Sequence, residues 1–295
     1  MLSKFIGGKN KIIKILKSGK VNFYITLFIC LLVILFLCTF LLSCEKIAEK
    51  RVLLGVTTSI YDSGLLSNLI SVFEDRSEYS ILPIAVGTGE AISMGEKGLV
   101  DLIFVHSRQD EERFIKEGFG INRKDVMYNN FVILGPEGDP AGIKNLAVVE
   151  AFKILSKNES VFISRGDNSG TNIKEMSLWK EADVIPQGNW YIKSGQEMIL
   201  TLKIADEKKA YILTDKATFL TSADSLSLKI LVEGDEILFN PYGIIAVNPL
   251  KHKDMNINFK GASGFIEFIS GKDGQGIIKD FGLKDYGQPL FYTYF

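Results

Sequence analysis

Short apolar runs alternate with amphipathic stretches along residues 51–247, and most of the runs end in a turn rich in hydroxyl groups or glycine. The runs predicted to be strands cover residues 51–56, 79–86, 100–105, 130–134, 161–163, 211–213, 228–232 and 244–247. Between them, apolar residues recur at helical spacing, as in 65–73, 148–156 and 196–207. This alternation predicts an α/β fold of mostly parallel sheets flanked by helices.

The alternating pattern occurs twice and then returns to its first unit, which predicts two lobes. We expect residues 45–134 and 241–295 to form lobe 1 and residues 135–240 to form lobe 2. The chain would cross between the lobes near residues 130–136 and 240–247, and these two segments would act as a hinge. Because ligands of such sheets bind at the carboxyl ends of the strands, the site is expected in the cleft between the lobes.

Residues 1–44 form a distinct N-terminal segment, with six lysines, no acidic residue and an apolar run over 23–42. Leu41-Leu42-Ser43-Cys44 follows and resembles the lipobox of a bacterial lipoprotein signal peptide. That resemblance implies cleavage before Cys44 and attachment of lipid to its sulfur. An uncleaved membrane anchor is the alternative, since about 20 apolar residues can span a bilayer. Both interpretations place the remaining chain outside the cytoplasm, tethered to the membrane.

Residues 45–295 are acidic. Without the six N-terminal lysines, 28 basic residues face 35 acidic ones, a net charge of −7. Nucleic-acid binding is therefore not expected, because it requires a basic footprint. From Cys44 onward the chain has no other cysteine, so neither an intramolecular disulfide nor a cysteine metal cluster can form there. We expect no cofactor and no metal cation, and an anion site would have to be built locally from hydrogen-bond donors.

The strongest candidate chemistry lies in a strand-to-helix turn, Ser164-Arg165-Gly166-Asp167-Asn168-Ser169-Gly170-Thr171. Free backbone N–H groups and the positive end of the helix dipole meet at such a turn, which suits an anion. Arg165 adds a fixed positive charge, and the hydroxyls of Ser169 and Thr171 add neutral donors. Asp167 has two equally supported roles, as a partner that orients Arg165 or as an ordinary helix N-cap.

Three further strand-end turns have the same character: Thr57-Thr58-Ser59, Gly87-Thr88-Gly89 and Leu213-Thr214-Asp215. Each alone is weak evidence, but four such turns in an acidic α/β protein predict an oxyanion cleft, because all four oxygens of a tetrahedral dianion accept hydrogen bonds. The principal candidate ligands are Thr58, Ser59, Thr88, Arg165, Ser169, Gly170 and Thr171. Further candidates are Thr57, His106 and Thr214.

Several longer motifs strengthen this prediction: 57–66 (TTSIYDSGLL), 86–89 (VGTG), 127–132 (MYNNFV), 164–171, 175–180 (EMSLWK), 205–208 (ADEK), 213–215 (LTD), 239–243 (FNPYG) and 246–249 (AVNP). With them the sequence resembles the tungstate-binding proteins of ABC transporters. The resemblance implies a type II periplasmic-binding-protein fold and capture of tungstate, or the similar molybdate, for a membrane permease. From the two-lobe pattern we expect a monomer. Val56 departs from the family, which usually has a third threonine there, and this leaves selectivity open.

A phosphate- or sulfate-binding protein of the same fold is the main alternative. Phosphate receptors share an Arg-x-Asp-x-Ser-Gly-Thr motif, but they use a carboxylate at the end of the third strand to accept the ligand's proton. Here that strand ends in Val105-His106-Ser107, which favours a fully deprotonated anion such as tungstate, molybdate or sulfate. An enzyme is not expected, because the chain has no Gly-x-Ser-x-Gly elbow, paired-histidine motif or P-loop. A receptor sensor would need a signalling domain, and the short lysine-rich stretch offers none.

Overall fold

The computed structural model describes residues 23, 26–35 and 50–294. The chain forms two compact units, residues 1–50 and 51–295. In the first unit, residues 26–35 are helical. Of the described helices, none combines the length and apolar character that a membrane span needs. Cys44, with the proposed cleavage site before it, lies outside the described residues, so the lipoprotein interpretation stays a prediction.

Residues 51–294 contain nine described strands and eleven described α-helices. The strands are β1 (Arg51–Thr57), β2 (Ser80–Val86), β3 (Leu102–Val105), β4 (Gly120–Gly135), β5 (Phe162–Ser164), β6 (Tyr191–Lys193), β7 (Ile212–Asp215), β8 (Lys229–Val232) and β9 (Phe239–Val247). The helices are α1 (Thr58–Asp62), α2 (Leu65–Glu74), α3 (Thr88–Glu96), α4 (Arg108–Lys116), α5 (Val148–Lys157), α6 (Gly170–Glu181), α7 (Met198–Glu207), α8 (Lys216–Ser222), α9 (Phe259–Ser270), α10 (Lys272–Asp280) and α11 (Leu283–Tyr286).

The sheet topology confirms the predicted α/β class. The main sheet has the order β2-β1-β3-β9-β4-β7, with β8 also paired to β4, and β5 pairs with β6 in a second sheet. Strands β1, β2 and β3 are parallel to one another, as are β5 and β6. Strands β9 and β4 run antiparallel to each of their neighbours, so the expected parallel pairing is found among β1, β2 and β3 and between β5 and β6.

Strand β4 is much longer than the predicted 130–134. Its first part, residues 120–130, pairs with β9, and residues 131–135 pair with β7 and β8. Residues 121–124 alternate between half-buried and exposed positions, which is typical of a strand with one solvated face. A single strand thus contributes to two groups of core residues.

Four clusters of buried side chains form the core. Two of them gather around β1, β3 and β9, with α2 and α9 on one face and α3 and α4 on the other. The other two gather around β5, β7 and the distal part of β4, with α5 and α6 on one face and α7 on the other. The turns that follow β1, β2, β3 and β5 lie at the carboxyl ends of these strands, and they contain the candidate site residues.

Candidate functional site

The carboxyl ends of β1, β2 and β3 meet at one edge of the main sheet. Thr57 at the end of β1 pairs with Val86 at the end of β2, and Val56 pairs with Phe104 in β3. Because the three strands are parallel, the turns that follow them emerge side by side. Val56 itself is fully buried in the core, so it is not a lining residue of the cavity described next.

These turns and the turn after β5 enclose a small cavity of about 10 Å³, roughly the space of one water molecule. Its lining residues are Thr57, Thr58, Ser59, Gly87, Thr88, His106, Arg165, Ser169, Gly170 and Thr171. Nine of these ten residues are predicted site residues, and Gly87 is the addition. The lining residues contain no carboxylate and one guanidinium group. The structure therefore brings the predicted donors together, while their role as ligands stays a prediction.

Thr214 is the predicted site residue that the cavity lacks. It is fully buried in β7, where it pairs with Val132 of β4. Its hydroxyl donates to the carbonyl oxygen of Asp215 at 3.3 Å. The Thr214 side chain thus lies in the protein interior and is not among the residues that line the cavity.

Arg165 is the only guanidinium among the lining residues, and its side chain is held by a hydrogen bond to Asp167. Its Nη2 donates to Oδ2 of Asp167 at 2.6 Å, and Oδ1 of Asp167 accepts the backbone N–H of Ser169 at 3.1 Å. Asp167 therefore orients Arg165, whereas Ser169 is the N-cap of α6. Arg165 is 7% exposed, and its Nε has no hydrogen-bond partner among the described residues. A buried guanidinium with an unused N–H is ready to donate to an anion.

The hydroxyl groups lie at the N-termini of α1, α3 and α6. Thr88 is the first residue of α3 and Gly170 the first of α6, so free backbone N–H groups of both helices face the same region. The Thr88 side chain is buried, and its Oγ1 has no partner within the described chain. The hydroxyls of Thr57 and Ser59 lie 3.2 Å apart. The cavity thus holds several donors that the protein alone leaves unused.

Glycine is required at two positions of the turn after β5 for different reasons. Gly166 has φ +65°, in the left-handed region that disfavours other residues, and Asn168 has φ +58°. At Gly170, a Cβ atom would lie 2.5 Å from Cε1 of His106 and 2.9 Å from Oγ1 of Thr88. A side chain at this position would therefore fill the cavity.

Buried polar groups support this turn from beneath. Asn172 donates to Ser164 Oγ at 3.2 Å and accepts the backbone N–H of Asn168 at 3.1 Å. Glu175, one turn further along α6, is 2% exposed and accepts hydrogen bonds from Trp179 Nε1 and Tyr191 Oη. Burial raises the pKa of the Glu175 carboxyl, although these donors oppose the shift. The network fixes the start of α6 on the core.

His106 is connected to a chain of buried side chains that the sequence did not reveal. Its Nδ1 lies 2.8 Å from Oδ1 of Asn240, Asn240 Nδ2 donates to Oδ1 of Asn129 at 2.7 Å, and Asn129 Nδ2 donates to Oδ1 of Asp215 at 3.1 Å. Asp215 also caps α8 by accepting the N–H of Thr218. Asn129 and Asn240 belong to two of the motifs quoted above, which is the one signal that could have marked them.

Carboxylates surround the mouth of the site. A second cavity of about 430 Å³ shares Thr58, Gly87, Arg165 and Ser169 with the first, and it is also lined by Glu90, Asp167 and Glu197. Burial and then the charge of Glu197 raise the pKa of nearby Asp62. The mouth therefore offers an incoming anion little long-range attraction, and binding depends on the donors inside.

A metal cation has no evident place among the described residues, since no group of three or more histidine, cysteine, aspartate or glutamate side chains is arranged to hold one. Hydroxyl groups, backbone N–H groups and a guanidinium stabilise negative charge instead. The small cavity is therefore lined by groups that can donate hydrogen bonds to an anion.

Comparison with known proteins agrees with this chemistry. A family model described as the PBP superfamily domain matches residues 45–272. The tungstate-binding protein TupA of Peptoclostridium acidaminophilum is 44% identical over 247 residues, which are 83% of this chain and 86% of that protein.

Two solved structures extend the comparison. The tungstate ABC transporter structure from Geobacter sulfurreducens has 48% identity and a TM-score of 0.71, and the match covers 79% of this chain and 99% of that one. The tungstate-binding protein TupA of Desulfovibrio alaskensis G20 has 39% identity and a TM-score of 0.71, covering 82% of this chain and 98% of that one. The chain belongs to the PBP superfamily and, within it, to the family of the tungstate-binding proteins TupA.

Proposed function

We propose that residues 45–295 capture tungstate outside the cytoplasm and deliver it to the permease of an ABC transporter. The observation that carries this proposal is the composition of the small cavity: hydroxyls and helix N-termini around one guanidinium, with no carboxylate in the lining. Two donors there, Arg165 Nε and Thr88 Oγ1, have no partner in the described protein. The relatives named as tungstate-binding proteins support the same ligand.

We propose that the ligands are Thr58, Ser59, Thr88, Arg165, Ser169, Gly170 and Thr171, with Thr57 and His106 beside them. No cofactor is needed, because the oxyanion is cargo and these groups bind it directly. Molybdate has the same charge and shape and is the natural competitor. Hydrogen phosphate is the weaker candidate, because the lining contains no carboxylate for its proton and His106 is the one side chain there with a ring nitrogen that could accept it.

Calorimetric titration of residues 45–295 with tungstate, molybdate, sulfate and phosphate tests the function. We expect tungstate to bind most tightly and to raise the thermal midpoint, because a ligand that binds only the folded state stabilises it by about 4 kcal/mol at a thousandfold excess over Kd. If only phosphate or sulfate bound, the protein would be a phosphate- or sulfate-binding protein of the same fold, and tungstate would not be its ligand. No heat and no thermal shift with any oxyanion would refute capture altogether.

Catalysis is not part of the proposal. A serine or threonine nucleophile needs a base within hydrogen-bond reach, and Thr88 Oγ1, the cavity hydroxyl beside His106, has no hydrogen-bond partner among the described residues. The relatives reported above are described as binding or transporter proteins. Incubation with phosphate and sulfate esters should therefore release no inorganic anion.

Tethering through Cys44 completes the proposed function. A lipid on Cys44 would hold a monomeric binding protein beside its permease, and cleavage before Cys44 would remove residues 1–43. Mass spectrometry of the native protein should find the lipidated Cys44 as the first residue, and Cys44→Ala should leave an uncleaved precursor without lipid. Native protein that retains residues 1–43 would indicate a transmembrane anchor instead.

We also propose that lobe 1 (45–134 and 241–295) and lobe 2 (135–240) move relative to each other about β4 and β9. The support is that residues 120–130 of β4 pair with β9, whereas Phe131 and Ile133 pack in a core cluster with residues 143–238. Small-angle scattering with and without tungstate should show a smaller radius of gyration in the bound protein. An unchanged radius would contradict the hinge.

A further inference from the structure

The chain of hydrogen bonds from Asp215 to His106 has a fixed direction. Asp215 is 2% exposed and accepts from Thr218 and Asn129. A carboxylate only accepts, so the amide of Asn129 turns its Nδ2 toward Asp215 and its Oδ1 toward Asn240. The amide of Asn240 is set in the same way: its Nδ2 donates to Asn129 and to the Tyr242 hydroxyl.

The consequence reaches the imidazole of His106. Only Oδ1 of Asn240 remains to face Nδ1 of His106, 2.8 Å away, so Nδ1 must carry a proton. In the neutral ring the other nitrogen, Nε2, is then a bare acceptor. Both asparagines are 1% exposed, so bulk water does not compete for their hydrogen bonds and the direction of these bonds is kept.

Nε2 lies at the cavity. It is one of the atoms that a Cβ on Gly170 would meet, at 2.6 Å, and the partnerless Thr88 Oγ1 would be met at 2.9 Å. The His106 ring is held in place by the rings of Tyr242 and Phe131, with centroids 4.9 and 6.2 Å away. The bare nitrogen therefore stays beside the start of α6, where an oxyanion would present its oxygens.

We propose that capture of the oxyanion is coupled to uptake of one proton at Nε2 of His106, and that Asn240, Asn129 and Asp215 are positioning residues for this step. An unprotonated Nε2 would place its lone pair against an oxygen of the dianion, and the two would repel each other. A proton on Nε2 converts the repulsion into a charge-assisted hydrogen bond and adds a second positive charge to Arg165. The inference rests on the proposed function.

The charged groups around His106 set when this proton is present. Burial lowers the pKa of His106 in the free protein, and Arg165 lowers it further, whereas the bond to Asn240 and the charge of Asp215 oppose the shift. Burial raises the pKa of Tyr242, which stays a neutral phenol. Arg108, Lys174 and Glu236 line a cavity of about 420 Å³ that also touches His106.

The bound dianion raises the pKa of His106, because it lies beside the ring. Tungstate affinity should then fall as pH rises, by up to about tenfold per pH unit between the pKa of the free protein and that of the complex. Below the first value and above the second it should be constant. A site with no proton coupling would show one affinity throughout.

Titration of residues 45–295 with tungstate near pH 7.5, in buffers of different ionisation enthalpy, measures the proton directly. We expect uptake of close to one proton in the wild type, almost none in His106→Gln, and the wild-type value in His252→Gln, which replaces the chain's other histidine. The glutamine amide can still donate to the anion, so His106→Gln should bind with little dependence on pH.

Asn240→Asp tests the positioning residues. A carboxylate against Nδ1 stabilises the charged ring, so the pH range in which affinity falls should move upward, which a merely structural role would not cause. Wild-type binding without proton uptake, or equal uptake in His106→Gln, would overturn the coupling while leaving capture intact. Absence of tungstate binding by the wild type would refute both proposals.

Discussion

Replacement of Arg165 by alanine is the sharpest test of where the oxyanion binds. The guanidinium is 7% exposed, held by Asp167 through Nη2, and has an unused Nε–H beside the cavity. The net charge of −7 for residues 45–295 offers no general positive potential to replace it. Arg165→Ala should therefore weaken tungstate binding strongly while leaving the fold in place.

The magnitude follows from two losses. A hydrogen bond to a charged group contributes about 1.5–3 kcal/mol, and the variant also leaves Asp167 without its cation next to the dianion. We expect a total of about 2–4 kcal/mol, which is roughly 30- to 900-fold in Kd. Arg165→Lys keeps the charge but not the planar fork, so its loss should be smaller, about tenfold.

Calorimetric titration with tungstate measures these values, and circular dichroism with thermal melting shows that the variants are folded. Arg76→Ala is the matched control, since Arg76 also pairs with an aspartate, Asp273, and both side chains are exposed at the surface. If the carboxylate of Asp167 contributes repulsion, adding Asp167→Asn to Arg165→Ala should recover part of the affinity. Tungstate affinity equal to the wild type in Arg165→Ala would refute the placement of the site.

Three further substitutions test the cavity and its mouth. Thr88→Val removes a neutral donor and should cost about 1–2 kcal/mol of binding by calorimetry, whereas Ser177→Ala, an exposed hydroxyl on α6, should cost nothing. Gly170→Ala places a methyl group inside the cavity and should weaken binding about 10- to 100-fold, while Gly276→Ala meets no atom within 4 Å and should bind normally. Glu197→Gln removes a carboxylate at the mouth, so stopped-flow association should be about twofold faster at low salt and unchanged at high salt. Equal affinity in Gly170→Ala, or equal association rates for Glu197→Gln at low salt, would contradict the described cavity.

The local sequence was sufficient for most elements and for the turns. Strands such as β1 and β2 are continuous apolar runs that end in hydroxyl or glycine residues, and this pattern marks both the strand and the turn. The stretch from 164 to 171 is equally informative, because its donors are neighbours in sequence and the helix start that orients them is local. Here the information that specifies the structure lies within a few residues.

The sequence missed the first part of β4 for the opposite reason. Residues 120–125 are mostly polar, and their extended conformation comes from pairing with β9 more than 110 residues away. Long sequence separation also explains why the hydrogen-bond network from Asp215 to His106 could not be predicted. Its bonded pairs, which run through Asn129 and Asn240, lie 86, 111 and 134 residues apart. Thr214 was expected in a turn like the others, but it lies within β7 opposite Val132 of β4 and is fully buried.

The sequence by itself therefore determined which residues can donate to an anion and at which strand ends they lie. Only the tertiary structure decided which of them share a cavity, because the parallel pairing of β1 with β2 and β3 and the approach of α6 bring separate turns together. It alone also decided that Nε2 of His106 is a bare acceptor there. That state depends on the direction of buried hydrogen bonds that join the turn after β3 to β9, β4 and β7, and no local pattern in the chain encodes it.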